Sequence, residues 1–351
     1  MLHALTEHLR RREHLSEEQV RETIGHLTAE SVPVEAKADF LTALAQKGET
    51  TEEIAAFARH LRDLSIQPPL DAETRARDIL DVCGTGGDKL NTFNISTTVA
   101  LVCAAGGVTV AKHGNRAITS QSGSADVLEA LGIRIDLTPD EAARSLKERR
   151  FAFFFAQKYH PAFRHIGPAR KLCAERGQRT VFNFLGPLMN PVRPSAQLIG
   201  VPRPQLCEPM ARVLQSLGIR RGMVVTGLVP VPGQAAPAHL DELSTLGDTT
   251  VAEFYQDRGL TTSILSPGNF PLQPATLADL AGGDRETNAG IIRRVIAGEE
   301  HGPKRDAVLF NAGAALFVAG RVKSITEGWE LAAALIDDGR ASGQLRLLQA
   351  G

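Results

Sequence analysis

The chain is short of cysteine, of net charge and of long apolar runs, and each shortage excludes something. Its four cysteines, Cys83, Cys103, Cys173 and Cys207, are scattered without a CxxC spacing, which argues against a disulfide framework or a cysteine zinc site and for reduced thiols. Thirty-nine basic and 40 acidic residues leave a formal net charge of −1, so no global field recruits nucleic acid or an anionic membrane, and any anion site must be local. No run approaches the roughly 20 apolar residues that span a bilayer, and the opening MLHALTEHLRRREHLSEEQV is too charged for the apolar centre of a signal peptide. The expected setting is the cytoplasm. Also missing are a GxSxG nucleophile turn, a cysteine in an activating context, internal repeats and low-complexity tracts.

What is present is an ordinary globular composition, 43% apolar and 23% charged, over a length suited to one large or two ordinary domains. Residues 1 to about 70 read as helical. Ser16 with Gln19 and Thr50 with Glu53 are capping-box pairs, and Ile54, Phe57, Leu61 and Leu64 recur at helical spacing to give one apolar face. That face needs cover, from the main domain or from a second copy of the chain. Pro68 and Pro69 mark a joint, beyond which strand and helix patterns alternate. Strands are expected at 78–82, 108–111, 151–156, 198–201 and 222–226, and helices at 97–105, 122–131, from Thr138 onward, 160–177 and 208–217. An uncharged loop at 229–240 leads to Asp241 and Glu242. An edge hairpin at 252–265 follows, then helices at 276–281, 288–297, 305–319 and 325–338. This is the α/β pattern of a mostly parallel sheet covered on both faces, with ligands at the carboxyl ends of the strands.

The stretch from Asp81 to Gly132 carries three small-residue, hydroxyl-rich or cationic clusters: Gly84 to Asp88, Asn94 to Thr98 and Lys112 to Ser124. Glycine permits close backbone approach, and N–H, hydroxyl and ammonium groups are the donors that phosphate requires. Gly84-Thr85-Gly86-Gly87-Asp88 lacks the following GK[ST] of a Walker loop and the third-glycine spacing of a dinucleotide fingerprint. The neighbours give it weight, since Asn94, Ser96 and Thr97 are expected to cap a helix whose N-terminus favours an anion and Lys112 adds a point charge. Asp241 and Glu242 read either as a solvated turn or as magnesium ligands. His113 and His160 read as structural, and Arg170, Arg176 and Arg179 as helix surface charge or as partners for a carboxylate.

Taken together and in order, GTGGD, NIST, KHGNR, SGSADVLEALG, RTVFNFLGPLMNP and DEL closely resemble the anthranilate phosphoribosyltransferases of tryptophan biosynthesis, nearly end to end. The resemblance implies a small all-helical domain, residues 1–70 completed by the stretch at about 160–190, joined to a large α/β domain over 71–351 of the fold shared with class II nucleoside phosphorylases. It implies a homodimer formed through the helical domain. It further implies that phosphoribosyl pyrophosphate is bound by Gly84, Gly87, Asp88, Thr92, Asn94, Ile95, Ser96, Thr97, Lys112, His113, Gly114, Asn115, Arg116, Ser120 and Ser124. Mg²⁺ is placed at Ser96, Asp241 and Glu242, and anthranilate at Gly84, Asn115 and Arg170. Lys112 acts as electrostatic stabiliser, with no nucleophile or base. Two departures stand out. Arg170 lies about one helical turn further from Arg179 than the family pattern has it, and His239 replaces a glycine ahead of the acidic pair. A relative with another acceptor, or a nucleic-acid-binding relative of the fold, remains the alternative; the second predicts a basic stripe and salt-sensitive affinity.

Overall fold

The computed structural model describes residues 2–117, 121–231, 233, 236–255 and 259–351. Four helices, α1 (Leu2–Arg10), α2 (Glu17–Thr28), α3 (Val34–Lys47) and α4 (Thr51–Asp63), form the N-terminal bundle. Both expected capping boxes are present, at Ser16 and Thr50. Their neighbourhood is locked by a buried ion pair, Lys47 to Glu53 at 2.6 Å, while the other Glu53 oxygen takes the Leu15 N–H at 2.8 Å. One carboxylate thus fixes the starts of two helices and the end of a third.

After α5 (Ala72–Ala76) the chain enters the sheet with β1 (Ile79–Gly84), α6 (Ile95–Ala105), β2 (Thr109–Gly114), α7 (Ser124–Ala130), α8 (Pro139–Arg149) and β3 (Phe151–Phe155). The segment that follows was expected to be one helix over 160–177. It is instead α9 (Ala156–Tyr159), a 3₁₀ turn at Pro161–His165 and α10 (Gly167–Glu175), then α11 (Phe182–Leu185). Pro161 and Pro168 each start a new turn, because proline lacks the N–H that would continue the previous one. β4 (Ala196–Gly200), α12 (Cys207–Ser216), β5 (Arg221–Val229), β6 (Ala238–Leu240), β7 (Thr249–Tyr255) and β8 (Thr261–Leu265) complete the sheet. Helices α13 (Arg285–Ile296), α14 (Pro303–Val318), α15 (Ile325–Asp337) and α16 (Arg340–Gln349) follow. The stretch at 276–281 is only a 3₁₀ turn, and α16 and β6 were not foreseen.

The strand order is β3-β2-β1-β4-β5-β7-β8, with β6 paired to β5. Strands β1 to β5 are parallel and the last three antiparallel, so the sheet is mostly parallel with a hairpin edge. One apolar core joins α6, α13, α14 and α15 to one face of the sheet. A second joins α10 and α12 on the other face to the N-terminal bundle, which is how the small helical domain is seated on the α/β domain. From β1 the sheet grows first through β2 to β3, then through β4 on the opposite side. The reversal lies beside β1, where ligand sites of parallel sheets fall.

Candidate active site

Because β1 and β2 are parallel, the loops leaving their carboxyl ends open on one side of the sheet. Asp241, just beyond β6, is driven into that opening. Its backbone carbonyl lies where a Cβ on Gly200 would stand 1.5 Å away, and its carboxylate would meet a Cβ on Gly84 at 2.7–3.0 Å. Glycine at these two strand ends is therefore what admits the acid. Oδ2 of Asp241 accepts the Gly86 N–H at 2.6 Å and the Thr85 hydroxyl at 3.3 Å. Asp241 and Glu242 are only 7% and 9% exposed, so they are not a solvated turn. Burial, then the charges of Asp88 and Glu242, push the Asp241 carboxyl well above its usual range. Burial raises Glu242 to about 8, with Lys112 opposing and Asp88 adding to the rise. Such a cluster has oxygen donors only and an unmatched negative charge, the preference of a hard cation. Among the described residues no group of three or more His, Cys, Asp or Glu side chains forms a cage, so a cation here would draw further oxygens from a ligand and water.

Lys112, buried on β2, donates from Nζ to the Val82 carbonyl at 2.7 Å and reaches the Ser96 hydroxyl at 3.4 Å. Burial lowers its pKa, and the Asp81 and Glu242 carboxylates oppose that shift. The reading of Asn94 as a helix cap needs correction. Its side chain makes no cap bond to α6, but donates to the Ser122 carbonyl at 3.2 Å and accepts from Asn288 at 2.9 Å. Of the first N–H groups of α6, that of Ile95 goes to the Phe93 carbonyl at 2.7 Å and that of Ser96 faces Glu242. Ile95 points into the core, which leaves only its backbone for a ligand, and the buried Thr97 hydroxyl has no partner among the described residues. Thr92 is fixed by a bridge to Ala281, Asp88 by the Leu90 N–H at 3.1 Å, and Gly87 lies against Pro202.

At the end of β2, a Cβ on Gly114 would sit 2.2 Å from the Ser124 hydroxyl, which points to the Asn115 carbonyl at 3.4 Å. The Arg116 guanidinium is exposed and engaged by Glu129 and by Asp126, the latter at 3.0 Å. Ser120 lies outside the described residues.

On the other side, His113 and His160 meet through their Nε2 atoms at 3.2 Å. The contact continues through His160 and Phe163 at 5.3 Å and through Phe163 and Phe182 at 5.7 Å, and Arg170 lies over the Phe182 ring at 5.2 Å. This aromatic row runs from β2 to the first turn of α10. Burial pushes His113 down to about 3 and His160 to about 4, so both rings are neutral. Among the described residues, no carboxylate forms an ion pair with Arg170, whereas Arg176 pairs with Asp39 at 3.3 Å. Sequence reading marked His113, His160 and Arg170 singly but had no ground for their contact, nor for the bond between Asn288 and Asn94. The signal for Gly200 was available, a glycine at the carboxyl end of an expected strand.

Residues 76–342 match the glycosyl transferase family a/b domain and residues 3–65 its helical bundle domain. The chain is 49% identical to the anthranilate phosphoribosyltransferase of Lacticaseibacillus casei (strain BL23), over 89% of this chain and 86% of that one. Among solved structures it is similar to the anthranilate phosphoribosyltransferase of Thermus thermophilus, with a TM-score of 0.87, 42% identity and coverage of 99% and 98% of the two chains. It also resembles that of Saccharomyces cerevisiae in complex with PRPP and Mg, with a TM-score of 0.86, 28% identity and coverage of 99% and 97%.

Proposed function

This chain belongs to the anthranilate phosphoribosyltransferases, and from that premise we propose how its residues divide the reaction. The enzyme transfers the phosphoribosyl group of phosphoribosyl pyrophosphate to the amine of anthranilate and releases pyrophosphate, a step of tryptophan biosynthesis. The bond from C1 of the ribose to the diphosphate breaks, its electron pair leaving with pyrophosphate, a C1–N bond forms, and the proton the amine gives up passes to the departing pyrophosphate or to water.

The donor would lie across the loops after β1 and β2 and the start of α6: Gly84, Gly87, Asp88, Thr92, Asn94 to Thr97, and Lys112 to Ser124. Lys112 and the positive end of the α6 dipole oppose the negative charge that gathers on the departing diphosphate. Arg116 contributes through its backbone while its guanidinium stays with Glu129 and Asp126. Ser96, Asp241 and Glu242 fit Mg²⁺, an oxygen set whose buried carboxylates are short of positive charge. When bound, the ion neutralises diphosphate charge and favours its departure.

Anthranilate would lie along the aromatic row with its carboxylate at Arg170 and its amine toward Gly84 and Asn115. An aromatic amine is neutral near pH 7 and its lone pair is free, so positioning replaces base catalysis; well-held reactants gain up to about 7–11 kcal/mol. No side chain acts as nucleophile or base. The observation that carries this division is the Arg170 guanidinium, without a counter-ion among the described residues, at the end of a neutral aromatic row. We also propose a cytoplasmic homodimer formed through the helical domain, whose bounds are 1–70 with about 160–190, leaving the rest of 71–351 to the α/β domain. Pyrophosphate release from phosphoribosyl pyrophosphate, followed with and without anthranilate, tests the reading. Release that depends on anthranilate supports it, and equal release without anthranilate overturns it.

A further inference from the structure

The segment Gly186–Asn190, at the end of the RTVFNFLGPLMNP motif, touches no substrate in the reading above, yet every residue of it is gripped by a different part of the molecule. The Pro187 carbonyl accepts from Gln197 of β4 at 2.6 Å and the Leu188 carbonyl from Arg62 of α4 at 2.6 Å. The backbone of Gly186 faces the His113 ring and that of Met189 faces the His160 ring, each favouring the protonated form. Asn190, fully buried, donates to the Ala111 carbonyl of β2 at 2.7 Å and to Asp81 of β1 at 2.9 Å.

The place of this segment follows from the sheet. The β1–β2 ladder has only two registered pairs, ending at Leu80 and Val110, while β1–β4 and β2–β3 each continue to the strand ends. Beyond Leu80 the two strands are joined by side chains instead. Lys112 takes the Val82 carbonyl, Asp81 receives the His113 N–H at 3.4 Å, and Asn190 bridges Asp81 and Ala111. The segment is thus a peg set against the split from which the two substrate loops diverge. Its only side-chain hydrogen bond from the N-terminal bundle, among the described residues, is that of Arg62.

Arg62 is an expensive residue for that post. It is 3% exposed, its Nε meets one carbonyl, and its Nη2 has no partner among the described residues. A buried guanidinium without a paired carboxylate is poor for stability, and an apolar side chain of similar volume often does as well or better. Its geometry has another use. Through the peg it ties α4 to the backbone that faces both histidines of the aromatic row.

We propose that Arg62 is a positioning residue for the acceptor half, which carries the placement of the N-terminal helices through Gly186–Asn190 to His113 and His160. The proposal rests on the reading that anthranilate lies along that row. Arg62→Met keeps the volume and removes the donor, and Arg62→Lys restores a donor. Arg62→Met is expected to raise the KM for anthranilate about tenfold or more, since misplacement by a fraction of an ångström is felt at a reacting group. The KM for phosphoribosyl pyrophosphate should stay within about twofold and the thermal transition should be retained, with Arg62→Lys recovering most of the loss. An unchanged anthranilate KM, an equal rise in both KM values, or no recovery in Arg62→Lys would overturn it. Should Arg62→Met not fold, Arg62→Lys alone must show the same split in smaller measure, and an even change refutes the proposal. The wild-type enzyme in the same assay separates the two readings, because loss of its anthranilate dependence defeats the functional assignment and not merely the role of Arg62.

Discussion

The two halves of the site are held by different means. The donor half hangs on strand ends, where Gly84, Gly114 and Gly200 leave no room for a Cβ and the interacting groups are fixed by hydrogen bonds at 2.6–3.4 Å. The acceptor half stands on short helical turns broken by Pro161 and Pro168, and its parts touch through ring contacts at 5.2–5.7 Å. A phosphate site needs many directional donors at set places, and a parallel sheet supplies them. An aromatic acceptor needs a slot and one charge, which leaves that half free to be built from less regular backbone. Failure should therefore divide cleanly between the halves.

The largest effect is expected from Lys112→Met, which nearly keeps volume and removes the ammonium. Its kcat/KM should fall by about 10²–10³, as for the loss of one preorganised charge-stabilising donor, with the thermal transition retained. Steady-state kinetics and a melting curve check both, and loss of the transition would make Lys112 a structural lysine. Next comes Arg170→Gln. Removing a charge-assisted bond costs about 1.5–3 kcal/mol, roughly a 10- to 100-fold rise in the anthranilate KM, with that for phosphoribosyl pyrophosphate unmoved. A rise in both constants would blur the comparison.

The buried histidines give a smaller, pH-dependent effect. Unfolded histidine titrates near 6.5, whereas folding holds His113 at about 3 and His160 at about 4. The unfolded chain therefore takes up these protons first. The stability due to the neutral pair is whole above pH 6.5 and drains as the pH falls toward 4. His160→Phe, which keeps a ring in the row, should flatten the fall of the melting temperature between pH 7 and pH 4.5, and an unchanged slope would mean that the histidine charges freely. Smallest of all is Arg116→Ala. Exposed ion pairs contribute about 0–1 kcal/mol, so kcat/KM should change less than about threefold; a large loss would return the guanidinium to the donor site.

Much of this arrangement was legible in the chain. The parallel strands, the two glycine loops on one side and the helix capped at Ser16 follow from local rules of period and capping. The acidic pair was visible, but its burial was not, because that depends on Gly84 and Gly200 meeting Asp241 across more than 150 positions of sequence in one case. The ion pairs of Arg116 were hidden for a similar reason. Its partners Asp126 and Glu129 lie one and two turns along the next helix, and only the fold shows that the loop returns to them. Asn94 looked like a cap by position and became a clasp between Ser122 and Asn288 instead. The aromatic row as a unit escaped notice, since its members come from β2, the turn after α9 and α11, and only the fold brings their rings together.

The division into a preformed donor half and a separate acceptor half is tested most directly by calorimetric titration of phosphoribosyl pyrophosphate with Mg²⁺ into wild-type and Arg170→Gln enzyme, in the absence of anthranilate. If Arg170 serves the acceptor alone, both proteins bind the donor with Kd values within about twofold, since the substitution then removes no group that touches the donor. Wild-type enzyme that binds the donor only when anthranilate is present, or an Arg170→Gln protein that binds it about tenfold more weakly, would contradict the division.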